Sequence, residues 1–181
     1  SVENSGDVFA YSLGAAYGLY ATGGDVTVAN SGNVEAQGYY ATGIEVRSTG
    51  DVSVDNSGDI VAGSISTYYN PYTYNTYVYG CAIATGINAE SNGEGAAVDV
   101  TNSGDITMLS HTDAMIGISA STGNFFFGGG DVSVINSGDI SVHSDYGFAN
   151  GIGVVAGSVG TPYGNSYIRN SGDIDVFGQY N

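Results

Sequence analysis

The chain has 181 residues, of which 18 are acidic and two are basic, so its net charge is −16. Such a charge argues against nucleic acid as a partner, because phosphates are bound by Lys and Arg, and against an anionic membrane surface. No apolar run approaches the roughly 20 residues of a membrane helix, which argues against direct membrane insertion. Because 42% of the residues are hydrophobic and they alternate regularly, we expect a packed core.

A repeated turn organises the chain from its first residues. The tetrapeptide Asn-Ser-Gly-Asp, or its variant Asn-Ser-Gly-Asn, has Val or Ile two residues before it and directly after it. Its copies begin at Asn4, Asn30, Asn56, Asn102, Asn136 and Asn170. Repetition at intervals of about 20–50 residues is typical of solenoids, propellers and arrays.

Each repeat contains three short segments that alternate with a period of two. A segment of the form Asp-Val-x-Val precedes the turn, a Val- or Ile-led segment follows it, and a third has the form Ala-x-Gly-Ile, as in Ala41–Ile44. This pattern predicts strands, and no capped helix is recognisable. We therefore predict an all-β parallel β-solenoid, residues 1–181 as a single domain, with about five to six coils of three strands. Six coils at roughly 4.8 Å would give a rod about 25–30 Å long.

The longest interval between turns holds a tyrosine-rich insertion at about residues 64–80. Its tyrosines are Tyr68, Tyr69, Tyr72, Tyr74, Tyr77 and Tyr79. Tyrosine is favoured at interfaces because it is large, rather rigid and amphipathic. Two interpretations stay open for this segment: self-association or packing on the rod, and contact with a glycan or receptor. The two later intervals each gain eight residues, and we expect part of this gain within 125–130 and 157–167.

The run Gly-Asp-Val-x-Val-x-Asn-Ser-Gly-Asp-Ile, followed by Ala-x-Gly-Ile, resembles the passenger repeats of bacterial autotransporters and related surface-exposed β-helix proteins. The resemblance covers nearly the whole chain except the tyrosine insertion. It implies a right-handed parallel β-helix that is secreted or lies at the bacterial cell surface. Since the chain begins inside one repeat and ends just past another, we expect a mature chain, a fragment or one unit of a longer assembly.

The six turn asparagines are expected to stack in one column. Their side-chain amides would hydrogen-bond along the rod and to the turn backbone. The glycine that follows each of them is expected to adopt a left-handed turn conformation.

The acidic residues after the turns form a candidate metal site. Stacking would bring together Asn33 with the carboxylates of Asp7, Asp59, Asp105, Asp139 and Asp173, and a second column would hold Asp25, Asp51, Asp99 and Asp131. Carboxylates at this spacing repel one another, and calcium would relieve the repulsion. The alternative is that each carboxylate accepts a hydrogen bond from the backbone of its own turn and faces water. Calcium is thus the one cofactor that these acidic columns suggest.

Nothing in the sequence marks a catalytic centre. His111 and Asp145 lie at equivalent positions after their turns, and so do Ser110 and Ser144, but no relay or oxyanion hole accompanies them. The single cysteine, Cys81, is interpreted as a buried apolar residue rather than an intermolecular bridge.

We therefore expect a non-catalytic, extracellular structural solenoid, either a fibre subunit or the stalk of a surface adhesin. Partners would be further copies, stacked head-to-tail or laterally, with a glycan or a host or cell-surface receptor as a further possibility. The alternative function is a glycan-binding or glycan-degrading β-helix of a secreted bacterial protein. An ice-binding threonine array is nearly excluded, because the corresponding column reads Tyr17, Thr42, Thr85, Ile116 and Asn150.

Overall fold

The computed structural model describes residues 1–63, 65–70, 72, 74–80, 82–110, 114–123, 128–145, 147–157 and 164–178, with the backbone alone for 65–70 and 75–80. Across these ranges the chain forms strands and turns, and the predicted parallel β-solenoid is confirmed. No helix in the described ranges is long and apolar enough to cross a bilayer.

Three parallel sheets run along the solenoid, and each receives one strand per coil. Sheet A contains β1 (Val2–Asn4), β4 (Val26–Asn30), β7 (Val52–Asn56), β12 (Val98–Asn102), β15 (Val132–Asn136) and β18 (Ser166–Asn170). Sheet B contains β2 (Val8–Tyr11), β5 (Val34–Gln37), β8 (Ile60–Gly63), β13 (Ile106–Ser110), β16 (Ile140–Ser144) and β19 (Ile174–Gly178). Sheet C contains β3 (Ala15–Gly23), β6 (Tyr40–Ser48), β11 (Ile83–Ser91), β14 (Ala114–Thr122) and β17 (Ala149–Ala156).

The core consists of columns of equivalent residues, one residue from each coil. In sheet A, Val28 pairs with Val54, and Val100 continues the same column. Sheet B contributes Val34 and Ile60 in the same way. These side chains are buried because period-two alternation turns every second residue of a strand inward. A single coil could not bury this surface alone, so the stability comes from stacking.

The strands of sheet C bend at a glycine. In β6, Ala41, Ile44 and Val46 face inward, so the inward positions are three residues apart and then two. The register pairs Tyr17 with Thr42 and Leu19 with Ile44, and the intervening glycines are left out of the pairing. A Cβ on Gly43 would lie 2.6 Å from the carbonyl oxygen of Gly86 in the next coil. The bend therefore depends on glycine, and it divides the outer face of sheet C into two halves.

Changes in repeat length occur at two corners and never at the Asn-Ser-Gly corner. Between sheets B and C, four residues separate Ala36 from Ala41, whereas 21 separate Ala62 from Ala84. This longer connection includes an antiparallel hairpin of β9 (Ile65–Asn70) and β10 (Asn75–Gly80). The corner between sheets C and A lengthens from three residues in the second coil to nine in the fourth and fifth. Three residues separate sheet A from sheet B in every coil.

The prediction that the turn glycines adopt a left-handed conformation was wrong. The described glycines with positive φ are Gly63, Gly95, Gly123 and Gly157, none of which follows Asn-Ser. Glycine is required in these turns for space instead. A Cβ on Gly104 would lie 2.1 Å from the carbonyl oxygen of Gly58 one coil earlier.

Candidate functional site

The six turn asparagines form the predicted ladder. The Nδ2 group of each one donates to the Oδ1 atom of the next, at 2.7 Å in all five steps from Asn4 to Asn170. Each Nδ2 group also donates to the carbonyl oxygen two residues later, as Asn56 does to Gly58 at 2.7 Å. A buried amide in the middle of the column thereby uses both amide hydrogens and accepts one bond, which satisfies its polar atoms inside the core.

The column of Asp7, Asn33, Asp59, Asp105, Asp139 and Asp173 also forms, but its hydrogen bonds run between coils. Asp59 Oδ1 accepts the backbone N–H of Asp105 at 3.0 Å, and Asp105 Oδ1 accepts that of Asp139 at 2.9 Å. These bonds differ from the alternative to calcium, in which each carboxylate accepts a hydrogen bond from the backbone of its own turn, because the donors belong to the next coil. The next coil supplies the N–H because equivalent turns stack directly on one another.

The second acidic column differs from the predicted one at one position. Asp51 Oδ1 accepts the backbone N–H of Ala97 at 2.9 Å, so Ala97 and not Asp99 continues the column after Asp25 and Asp51. Asp99 lies inside a strand of sheet A, where it pairs with Ser53. Across the described ranges, no group of three or more His, Cys, Asp or Glu side chains is arranged to hold a metal ion.

The tyrosine-rich insertion forms the hairpin of β9 and β10, which projects at the corner between sheets B and C. Tyr68 pairs with Tyr77 and Tyr69 with Thr76 in its backbone ladder. Tyr72 and Tyr74 lie at its tip with their side chains exposed. The side chains of Tyr68, Tyr69, Tyr77 and Tyr79 lie outside the described part of the structure.

The residues considered for catalysis are only partly brought together. Ser110 pairs with Ser144 across adjacent coils. His143 Nε2 lies 3.0 Å from Asp145 Oδ1, and its ring stacks on Phe177 with centroids 4.7 Å apart. His111 and Cys81 fall outside the described residues.

The outer face of sheet C holds a groove that the sequence patterns did not reveal. This sheet C groove lies where the two halves of the bent strands meet. It is lined by Tyr17, Tyr40, Thr42, Glu45, Arg47, Ile83, Thr85, Asn88, Ile116 and Ser119. The sequence feature that could have revealed the groove is the three-residue spacing of inward apolar residues around Gly43. This spacing marks a bend, and the bend brings the outward side chains on its two sides together.

Glu45 is the buried charged residue of the sheet C groove. It points outward, yet only 3% of its side chain is exposed. Its Oε1 atom accepts hydrogen bonds from Arg47 Nε at 2.7 Å and from Asn88 Nδ2 at 3.0 Å. The hydrogen bond from Arg47 to Glu45 and the opposite charge of that carboxylate raise the pKa of the Arg47 guanidinium. The Arg47 guanidinium therefore keeps its positive charge beside this carboxyl group.

These features define the class of the protein: it is a parallel β-solenoid repeat protein with an internal asparagine ladder. Comparison with protein-family models, with curated proteins and with solved structures gives no match.

Proposed function

We propose that the chain is a non-catalytic structural rod, a segment of a fibre or of the stalk of a secreted or surface-exposed bacterial protein. The observation that carries this proposal is the unbroken asparagine ladder from the first coil to the sixth. A column of identical hydrogen bonds, flanked by apolar columns, resists sliding and bending of one coil against the next. The surface location rests on the resemblance to autotransporter passenger repeats.

The ladder ends with a side-chain donor in the last coil and a side-chain acceptor in the first coil. Asn170 Nδ2 donates to the carbonyl oxygen of Gly172. Among the described residues, it donates to no further asparagine side chain. Asn4 Oδ1 accepts no hydrogen bond from any described residue. A further coil placed on the sixth, whether from the same chain or from a second copy, would continue the column with the same donor and acceptor.

The end coils also expose members of the apolar columns. Ile168, Ile174 and Val176 are 40–50% exposed, whereas their equivalents one coil earlier are buried. In this coil, β18 and β19 are the last strands of sheets A and B, so each has an edge that pairs with no described strand. Such edges normally pair with another strand or are covered. Head-to-tail stacking of copies would bury both the apolar side chains and the edges.

Two variants in the last strand of sheet A test this assembly. Ile168 continues an inward column and Tyr167 faces outward, yet the two side chains are 50% and 53% exposed. We expect the unmodified chain to form filaments that are visible by electron microscopy and that give an axial repeat of roughly 4.8 Å by fibre diffraction. Ile168→Asp should lower the association constant at least about tenfold, equivalent to about 1.4 kcal/mol, because it places a charge in the stacking surface.

Tyr167→Asp is the matched control and should assemble like the unmodified chain. A monodisperse monomer by light scattering at high concentration would contradict the proposal. An equal loss of assembly in the two variants would also contradict it. That result would show that any added charge on the end coil weakens assembly, whether or not it lies in the stacking surface.

A further inference from the structure

We propose that the sheet C groove binds a neutral saccharide. The proposal is independent of the structural role, because the groove lies on the side of the rod and not on its end coils. It rests on four features: a buried carboxylate on the groove wall with one oxygen to which no described residue donates, a pair of tyrosine rings of which one lines the groove, a set of hydroxyl and amide groups, and the local charge.

The buried carboxylate of Glu45 has hydrogen-bonding capacity left. Both donors that reach it, Arg47 Nε and Asn88 Nδ2, bind the Oε1 atom. No described residue donates to Oε2, although the side chain is almost fully buried on the wall of the groove. Buried carboxylate oxygens are normally hydrogen-bonded, and an ionised carboxylate can only accept. A ligand hydroxyl is a donor of the required kind.

Tyrosine rings border this carboxylate. Tyr20 is the register partner of Glu45 in the preceding coil, and Tyr17 is the partner of Thr42. The two ring centroids lie 5.5 Å apart at 55°, and both rings remain exposed to solvent. The electron-rich face of an aromatic ring attracts the weakly positive C–H groups on the apolar face of a sugar. The rings thus offer a stacking surface beside a hydrogen-bond acceptor.

The remaining polar groups match a ligand rich in hydroxyls. Thr42, Thr85 and Ser119 carry hydroxyl groups that donate and accept, and Asn88 has an amide. The groove has a volume of about 240 Å³, below the roughly 300 Å³ at which drug-sized pockets begin. This size suits one edge of an oligosaccharide lying along the surface better than an enclosed small molecule.

The charge around the groove favours a neutral sugar over an acidic one. Arg47 is one of only two basic residues in the chain, and its Nε group is bound to Glu45. Glu90 also acts on Arg47 through its charge. The local carboxylates and the net charge of −16 would repel a uronate or a sulfated glycan.

The test uses cellohexaose, mannohexaose and maltohexaose as neutral probes and a hexagalacturonate as the acidic comparison. Saturation-transfer NMR and calorimetric titration of the 181-residue chain should detect binding of at least one neutral probe. Removing both rings in Tyr17→Ala/Tyr20→Ala should weaken that binding at least about tenfold, as should Glu45→Gln, which keeps the shape but removes the charged acceptor.

Tyr167→Ala, which removes an exposed tyrosine from sheet A, is the control and should leave the affinity unchanged. Circular dichroism of each variant separates a lost site from a lost fold. The proposal is overturned if no neutral probe binds, if the hexagalacturonate binds more tightly than the neutral probes, or if Tyr167→Ala weakens binding as much as the double variant.

Discussion

The glycine of each Asn-Ser-Gly turn after the first packs against the corresponding glycine one coil earlier. Carbonyl oxygens occupy the space that a side chain would need, as the 2.1 Å approach to Gly58 shows for a Cβ on Gly104. The asparagine amide contributes to this arrangement, because it binds the glycine carbonyl of its own turn and the amide of the next coil. The two residues thus act together in setting the spacing between coils.

Replacing this glycine tests the packing. Gly104→Ala should lower the free energy of unfolding by about 3 kcal/mol or more, because the backbone of the neighbouring coil must move away. Urea denaturation monitored by circular dichroism measures the change. Gly6→Ala is the control, since nothing lies within 4 Å of its Cβ position, and it should cost less than about 1 kcal/mol. Equal costs at both positions would show that backbone conformation, and not space, selects glycine here.

The period-two pattern was sufficient to predict the strands on either side of the Asn-Ser-Gly turn, because those strands alternate without interruption. It was insufficient for sheet C, where the alternation shifts at Gly43 and the inward side chains of Ala41 and Ile44 are three residues apart. This shift produces the groove, so Glu45 was not predicted as a site residue. Asp99 was assigned to the wrong column because the Asp-Val motif was matched without its distance to the turn. Asp99 lies three residues before Asn102, whereas Asp51 lies five residues before Asn56.

The hairpin of β9 and β10 is an addition to the third coil. Its first and last residues, Ile65 and Gly80, pair with each other, so the chain leaves and re-enters the solenoid at neighbouring points. Deleting residues 64–80 would leave four residues between Ala62 and Ala84, as between Ala36 and Ala41 in the coil before.

We expect this deletion to preserve the solenoid. Thermal unfolding followed by circular dichroism should stay cooperative, with a Tm within about 4 °C of the full chain, or about 1 kcal/mol. Deleting residues 31–33 should abolish folding, because it removes a corner that has the same length in every coil. A hairpin deletion that also prevents folding would show that β9 and β10 are needed for the core.

At the scale of the whole molecule, the net negative charge opposes the head-to-tail stacking that the exposed end coils favour. Each copy carries a net charge of −16, and stacked copies would repel one another. Raising NaCl from about 10 mM to about 150 mM shortens the screening length from about 30 Å to about 8 Å. The assembled fraction, measured by sedimentation, should therefore rise with salt and should not rise with sucrose at the same osmolality. Dissociation by salt would indicate an interface built on ion pairs instead.

The asparagine ladder also gives the rod a direction. Every Nδ2–Oδ1 bond points from one coil to the next along the chain, so the side-chain dipoles add instead of cancelling. A two-fold symmetric dimer of end coils would bring acceptor against acceptor at one end or donor against donor at the other. Only a translational, heterologous contact continues the column, and such contacts produce open filaments rather than closed rings when the rotation does not close. A polymer of this solenoid would therefore be a polar filament with two unlike tips.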